Sequence, residues 1–353
     1  MLQFVSHHNG ECTQFFDDYL LEDKKVLFIG TLGFNDLCLY FPEVLSKRPN
    51  VDYVFLIEER AEVSQILRDI AKRNREVLEG FLKERHMRFI EVPIVADDTA
   101  IVAGRSAAVA GRAALVNGYT DVLIDATSMS RGVCFPIVKQ AVEYAARLKQ
   151  TQTHILVASR THSNVKATSM SSDAPQYMHG FQGDMNLDHS EGAIKLWVPQ
   201  LAEGTTTSLE RIHRALNPDE SCPILPFPSA SPRRGDMLLR EFKGPLLNDW
   251  GVNLLDLIYA HESDPNDVCA TIGRIHSARH EALSRAIGQS NPDRTVLSPA
   301  GTRVGSIGML LASLQLDLPI MYEESIGYTS DLTAIPALTE ASPDHLWHVW
   351  LRP

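Results

Sequence analysis

The chain has 353 residues, of which 44% are hydrophobic and 22% charged, and a formal net charge of −11. This composition is typical of a soluble globular protein long enough for two domains, and the negative charge argues against wrapping a long nucleic acid. No apolar run approaches the ~20 residues that span a bilayer. The N-terminus is too charged for a signal peptide, and the five cysteines are scattered. We therefore expect a cytoplasmic protein with reduced thiols and no membrane partner.

Strands and helices alternate along the first half of the chain. The apolar runs predict strands at 25–30, 52–58, 88–95, 121–125, 154–159 and 193–199. Helical periodicity predicts helices at 36–46, 61–85, 103–117 and 133–149. Nearly continuous apolar strands favour burial on both faces of a parallel sheet, and their alternation with helices favours a doubly wound α/β domain.

Residues 161–191 interrupt this alternation. The segment is rich in Ser, Asp, Gly, His and Met and has no periodicity. A stretch of this length inside a domain is usually functional or mobile. Two interpretations stay open, a lid or hairpin over the sheet edge and a disordered insertion.

The second half repeats the order of elements in a shorter form. After a linking helix at 203–216, we predict strands at 222–227, 254–260, 295–298, 319–323 and 345–351, and helices at 236–248, 264–287 and 304–314. Each half ends in a strand that carries a tryptophan, KLWVPQL at 195–201 and HVWLRP at 348–353. We therefore predict two tandem Rossmann-like, doubly wound parallel-sheet units related by pseudo-duplication, a first domain at 1–201 and a smaller second domain at 202–353.

The loop after the first strand carries Gly30, Thr31 and Gly33. Glycine permits a tight turn and close approach of the backbone to a ligand, and the following helix start can hold an anion. The alternative is a plain turn between strand and helix. The loop is not G-x-G-x-x-G and the chain contains no P-loop motif, so we expect no dinucleotide cofactor and no P-loop NTPase.

The strongest candidate site is the loop at 125–132, where a buried strand meets a helix N-terminus. Asp125, Thr127, Ser128 and Ser130 offer oxygens for phosphate or ribose, and Arg131 can pair bidentately with an anion. The alternative is a capping arrangement in which the hydroxyls cap the helix and the arginine points to solvent.

The second half offers a similar turn at Gly301, Thr302 and Arg303, and Arg233 follows the first strand of that half. Loops at the carboxyl ends of parallel strands are where open α/β sheets bind ligands. We predict that the turns of Arg131 and Arg303 converge on one anion pocket. Arg233 either faces the same crevice or lies on the surface.

Other polar residues give weaker signals. Glu58, Glu59 and Glu262 lie at strand ends, where a carboxylate bonds a ribose hydroxyl or forms an ordinary cap or ion pair. His276 and His280 stand four apart on a predicted helix, but the H-E-x-x-H order of zinc proteases is absent. We expect no metal and no cofactor.

At these loops the chain resembles the CRISPR-associated Rossmann-fold (CARF) superfamily and the related SAVED domains. The first-strand loop of such domains is similar to residues 26–33 (VLFIGTLG), and their D-x-T-G-G-T-[KR]-like core to residues 125–131 (DATSMSR) and, more faintly, 298–303 (SPAGTR). Ser128 and Met129 replace the family's paired glycines, and Arg303 stands where lysine is common. SAVED domains are similar to two CARF-like units in one chain. The resemblance implies binding of a cyclic or linear oligonucleotide second messenger in bacterial antiviral signalling.

Three functions follow as hypotheses. The first is a sensor that binds a small nucleotide or oligonucleotide and signals to an effector protein encoded nearby, as a homo-oligomer. The second is a nucleotide hydrolase or phosphodiesterase with Asp125, His162 or His179 as base and Arg131 stabilising developing charge. The third is a scaffold subunit without a ligand. The sequence identifies no catalytic residue.

Overall fold

The computed structural model describes residues 2–83, 85–97, 99–116, 118–160, 165–183, 194–287, 294–337 and 342–352. The chain divides into two compact units. Unit 1 comprises Met1–Ser172 and Glu324–Pro353, and unit 2 comprises Asp173–Glu323. Unit 1 is therefore built from both ends of the chain, and unit 2 is inserted into it.

Strands and helices alternate over much of the described chain, as the sequence predicts. The strands are β1 (Gln3–His8), β2 (Val26–Thr31), β3 (Val51–Glu59), β4 (Glu62–Val63), β5 (Met87–Pro93), β6 (Asp121–Asp125), β7 (Gln152–Ser159), β8 (Thr168–Ser171), β9 (Gln176–Tyr177), β10 (Lys195–Pro199), β11 (Glu220–Ser221), β12 (Ile224–Pro226), β13 (Ile258–Ala260), β14 (Arg294–Ser298), β15 (Met321–Tyr322), β16 (Ser325–Thr329) and β17 (His345–Arg352). The helices are α1 (Gly10–Tyr19), α2 (Tyr40–Leu45), α3 (Gln65–Phe81), α4 (Ala103–Ala114), α5 (Arg131–Leu148), α6 (Thr206–Leu216), α7 (Arg234–Glu241), α8 (Pro265–Ile287) and α9 (Arg303–Leu316).

The main sheet of unit 1 has, within the described residues, seven strands in the order β1-β17-β7-β6-β2-β3-β5. The five strands from β7 to β5 are parallel, and β17 and β1 run antiparallel to their neighbours. All six residues of β2 are buried, as expected for a central parallel strand covered on both faces. Numbered along the chain, the parallel strands follow the Rossmann-like order 3-2-1-4-5, which reverses between β2 and β6.

The last strand corrects the predicted organisation. We expected 345–351 to close the second domain, but β17 pairs with β1 and β7 in the sheet of unit 1. The boundary predicted between 201 and 202 is replaced by crossings at 172/173 and 323/324. Val349 and Leu351 are completely buried there. Apolar burial places this strand in unit 1, and a local pattern cannot reveal which sheet an apolar strand joins.

Unit 2 contains a second parallel arrangement. Strand β10 lies between β11 and β14, and β12 pairs with β13, all parallel. Single parallel bridges, Gln200 with Ile224 and Leu297 with Ile320, continue the sheet to β12 on one side and towards β15 on the other. The parallel strands therefore run β13-β12-β10-β14-β15, with β9 antiparallel at the β15 edge. The order reverses between β10 and β14.

The segment predicted to be a lid or an insertion, 161–191, lies partly outside the described residues, at 161–164 and 184–191. Its described part contributes to both units. Strand β8 pairs with β16 in a small sheet with β4 in unit 1, and β9 pairs with β15 in unit 2. The described part thus contains two short strands in separate sheets, rather than one hairpin.

A row of three imidazoles, of which His154 and His348 are buried and His7 is half-buried, crosses the unit 1 sheet from strand to strand. His7 Nδ1 lies 2.9 Å from His348 Nδ1, and His348 Nε2 lies 2.9 Å from His154 Nδ1. His154 Nε2 lies 3.1 Å from a carboxylate oxygen of Asp121, which also accepts a hydrogen bond from Tyr19. The row links β1, β17, β7 and β6. Burial, reinforced by the two neighbouring histidines, holds the pKa of His348 well below its usual value.

Each unit has its own apolar core. The unit 1 core contains Phe28, Tyr53 and Phe55 from the neighbouring strands β2 and β3, all nearly inaccessible to solvent. The unit 2 core is centred on Trp197, whose indole N–H donates to Ser298 Oγ at 2.9 Å. A buried indole N–H with a partner avoids the cost of an unpaired donor. None of the described helices has the length and apolarity required to cross a bilayer.

Candidate functional site

The predicted loops of unit 1 lie side by side at the carboxyl end of its sheet. Strands β2 and β6 are adjacent and parallel, so the loops that follow them meet where the strand order reverses. Gly30 is required by crowding, because a Cβ there would lie 2.7 Å from the Phe28 ring and 3.7 Å from Asp125 Cβ. A Cβ on Gly33 would meet no atom within 4 Å. Of the two glycines, only Gly30 is required by the packing.

Asp125 and Thr127 hold the shape of the second loop. Asp125 Oδ1 accepts a hydrogen bond from the Thr127 backbone N–H at 2.9 Å. Thr127 Oγ1 accepts one from the Ala158 N–H at 2.9 Å and so ties the loop to β7. Both side chains are buried. These two predicted site residues therefore position the loop.

Three other predicted hydroxyls at this edge are placed differently. Thr31 Oγ1, Ser128 Oγ and Ser130 Oγ are inaccessible to solvent and have no hydrogen-bond partner among the described residues. Ser130 occupies the N-cap position of α5, but its side chain makes no capping hydrogen bond. A buried hydroxyl without a partner costs free energy until a ligand or water satisfies it. The capping interpretation is therefore wrong for Ser130.

A buried charge cluster lies at the start of α5. The Ser130 backbone N–H donates to Glu58 Oε1 at 2.7 Å, and Arg60 donates to Glu58 Oε2 at 2.5 Å. Arg60 Nη1 also lies 3.5 Å from Glu324 Oε1. The three charged side chains are each less than a tenth exposed. Two carboxylates thus share one guanidinium in a site with little water.

The Glu324 carboxyl titrates near neutrality. Burial, helped by the charge of Glu58, raises its pKa to about 7 in spite of the neighbouring Arg60. Its Oε2 lies so close to Gly132 in the first turn of α5 that any Cβ on that glycine would collide with it. Two carboxylates therefore face the positive end of the α5 dipole. The Ser130 N–H is already occupied, so an incoming anion must be held by other groups of the loop, such as half-buried Arg131.

The sequence indicated Glu58 but neither of its charged partners. Arg60 follows Glu58 by two residues, so the sequence could have predicted an ion pair at this strand end. Glu324 carries no such signal, because it joins the site from the far end of the chain. A further pair at this edge, Arg160 with Asp36 at 3.2 Å, was also not predicted.

In unit 2, Thr302 has a structural role. It is the N-cap of α9, and its Oγ1 accepts from the Gly305 N–H at 3.1 Å. The same hydroxyl donates to the Glu262 backbone carbonyl at 2.8 Å and joins two loops. A Cβ on Gly301 or Gly305 would collide with the side chain of Gln200. These glycines therefore make room for a protein side chain at the helix N-terminus.

The arginines of unit 2 differ in environment. Arg234 forms an ion pair with buried Glu262, whose other oxygen accepts from the Ala230 N–H at 2.9 Å. Arg233, the residue that we predicted, is exposed at the N-cap of α7. Arg303 is half-buried at the first position of α9. Glu262 is thus an internal ion-pair partner, one of the two roles expected for it.

Two predictions span different parts of the chain. Arg131 belongs to unit 1 and Arg303 to unit 2, and their convergence stays a prediction. Of the two histidines suggested as alternatives to Asp125 for the base of a hydrolase, His162 lies outside the described residues, and His179 is exposed in unit 2.

A surface groove is lined by residues of unit 2. Its volume is about 630 Å³, and His276, His280, Glu281 and Arg285 contribute to its lining. The two imidazoles stack with centroids 6.3 Å apart, and His276 Nδ1 lies 3.1 Å from Thr295 Oγ1. Among the described residues, no three His, Cys, Asp or Glu side chains come together as a metal site requires. None of the residues predicted to bind the nucleotide lines the groove.

Comparison with known proteins adds only weak similarities. No protein-family model and no curated protein matches the chain. The N-terminal domain of human METTL16 in complex with SAH aligns with a TM-score of 0.20 and 15% identity over 45% of this chain, which spans 60% of that domain. UDP-GlcNAc 2-epimerase from Neisseria meningitidis bound to UDP-GlcNAc aligns with a TM-score of 0.23 and 10% identity over 82% of this chain and 90% of the enzyme. Another UDP-N-acetylglucosamine 2-epimerase aligns with a TM-score of 0.25 and 8% identity over 84% of this chain and 87% of that enzyme. These TM-scores are too low to assign a function.

Proposed function

We propose that this protein binds a nucleotide at the carboxyl ends of its parallel strands and acts as a sensor. The ligand class that we propose is a cyclic or linear oligonucleotide second messenger. This class is also what the resemblance of residues 26–33 and 125–131 to CARF and SAVED domains implies for bacterial antiviral signalling. Binding would bias the protein towards a conformation that an effector partner recognises, by population shift.

One observation carries the proposal. The unit 1 strand order places the loops after β2 and β6 together where the order reverses, and three hydroxyls there lack partners among the described residues. Crevices at such reversal points are where open α/β sheets bind ligands. Hydroxyls and a helix-start arginine suit ribose and phosphate oxygens.

We also propose that the two units are a duplication. Their parallel strands follow the same order, 3-2-1-4-5, within the described residues. In each unit an arginine begins the helix that follows the fourth strand, Arg131 in α5 and Arg303 in α9. A duplicated chain would carry two related sites, one in each unit.

The proposal predicts that Arg131→Ala weakens nucleotide binding. Loss of a charge-assisted hydrogen bond costs roughly 1.5–3 kcal/mol, which is about 10- to 150-fold in affinity. Isothermal calorimetry with linear and cyclic oligoribonucleotides measures this change. Arg147→Ala is the matched control, since Arg147 is an exposed arginine in the last turn of the same helix. Equal affinity of the Arg131 variant and wild type would show that the loop is not the binding site.

The same samples separate a sensor from a phosphodiesterase. A sensor returns the oligonucleotide intact after long incubation, whereas a hydrolase yields shorter products on chromatography. Asp125, the base suggested for hydrolysis, already accepts the Thr127 N–H through one oxygen. We therefore favour binding without turnover, and cleavage by wild type that Asp125→Asn abolishes would overturn that preference.

A further inference from the structure

Two aromatic side chains lie exposed at the carboxyl end of the unit 2 sheet. Phe227 is 63% exposed and Tyr259 is 54% exposed. Their rings contact each other edge to face, with centroids 6.2 Å apart. Large aromatic side chains are mostly buried in folded proteins. An exposed pair of rings in contact therefore indicates a surface that binds a ligand or another protein.

The pair is attached to the site loops of unit 2. Phe227 is the first residue after β12, and its N–H donates to the Ala260 carbonyl at 2.8 Å. The Glu262 N–H donates to the Pro228 carbonyl at 2.9 Å, and the Glu262 carbonyl accepts from Thr302. A continuous set of hydrogen bonds therefore joins the aromatic pair to the loop of Arg303.

The position in the sheet favours a nucleotide over another apolar partner. Strand β12 lies next to β10, one of the two strands at which the order reverses. In doubly wound sheets the end of this second strand lies beside the ribose of a bound nucleotide. Arg233 is exposed six residues further along the same loop and supplies positive charge for a phosphate. The negative charge of Glu262 is already compensated by Arg234.

We propose that Phe227 and Tyr259 form the base-stacking surface of the unit 2 site, so that this unit recognises the nucleobase of its ligand and not only phosphate and sugar. The inference rests on the proposed function. Bases of any identity stack on aromatic rings, so this surface selects a base-bearing ligand but does not select one base over another.

The test compares adenosine 5′-monophosphate with ribose 5-phosphate, which lacks the base. In Phe227→Ala and Tyr259→Ala, affinity for the nucleotide should fall by about 5- to 150-fold, while affinity for ribose 5-phosphate stays unchanged. Phe227→Tyr keeps a ring and should bind as wild type does. Leu247→Ala, another exposed apolar residue of unit 2, is the control. Saturation-transfer NMR on the base protons reports the contact directly.

The outcomes are distinct from those of the proposed function. If the wild type binds no nucleotide, both proposals fail. If it binds and Arg131→Ala weakens binding, but the aromatic variants keep wild-type affinity for the nucleotide, only the stacking surface is wrong. A change in oligomeric state with unchanged affinity in Phe227→Ala would identify the pair as a contact between proteins and would likewise overturn the inference.

Discussion

At the scale of single residues, the site in unit 1 is unusual for its buried acid. Glu324 and Glu58 share Arg60 beside the first turn of α5, and burial raises the pKa of Glu324 to about 7. An acid whose pKa is higher in the folded state than in the unfolded chain stabilises the fold most when protonated. That stability is fully present below about pH 4.5 and is lost as the pH rises through about 7.

Glu324→Gln should therefore change the pH dependence of stability. The variant keeps the shape of the side chain without its charge, so relative to wild type it should gain stability, on the order of 1–3 kcal/mol, between pH 5 and pH 8. Urea unfolding at both pH values measures the difference. Glu59→Gln, at an exposed strand end nearby, should show no such gain. A constant difference between Glu324→Gln and wild type at the two pH values would contradict a raised pKa.

At the scale of elements, the sequence predicted the types of the helices and strands better than their lengths. A helix was expected at 236–248, but α7 ends at Glu241, and a π-helical turn follows from Pro245 to Asp249. Proline has no N–H for the helical ladder and crowds the preceding turn, which explains the break. The N-terminal β1 and α1 were not predicted. Strand β1 contains no fully buried residue and lies at the sheet edge, so its apolar signal is weak.

The histidine row between strands predicts acid sensitivity in unit 1. The pKa values of His348 and His154 are lowered chiefly by burial, so both side chains bind protons less readily in the fold than in the unfolded chain. Below about pH 6.5 the unfolded chain binds protons that the folded chain does not, and stability falls by up to about 1.4 kcal/mol per pH unit for each histidine. His348→Gln should reduce this dependence of stability on pH in urea unfolding between pH 5 and 7. As the pH falls, local opening measured by hydrogen exchange should increase first in β1, because His7 holds this edge strand to the row. An unchanged slope in the variant would show that the row does not titrate on unfolding.

At the scale of the whole molecule, unit 1 depends on both ends of the chain. Strand β17 lies between β1 and β7, so the sheet is incomplete without the last residues. The points where the chain leaves and re-enters the unit are adjacent, since the Ser172 N–H donates to the Glu324 carbonyl at 2.9 Å. Unit 2 is thus an insertion between two neighbouring positions of unit 1.

This topology predicts which fragments fold. A fragment of residues 1–201, which ends at the boundary predicted from sequence, lacks β17 and should not unfold cooperatively. A chain of residues 1–172 joined by a short glycine linker to 324–353 should fold and unfold in one transition. Circular dichroism during thermal unfolding compares the two. Cooperative unfolding of 1–201 would mean that β17 is dispensable for the sheet.

The sequence by itself determined the α/β fold class and the side chains that the loops after the parallel strands carry. Apolar runs such as 25–30 and 121–125 specify buried parallel strands, because strands covered on both faces need apolar side chains at every position. The turn residues after these strands predicted the loops of Gly30 and Arg131 as candidate ligand sites. Only the tertiary structure decided that β17 belongs to the first sheet and that Glu324 reaches Arg60. These contacts join distant parts of the chain, and they form because burial in the complete sheet favours them, which no local pattern records.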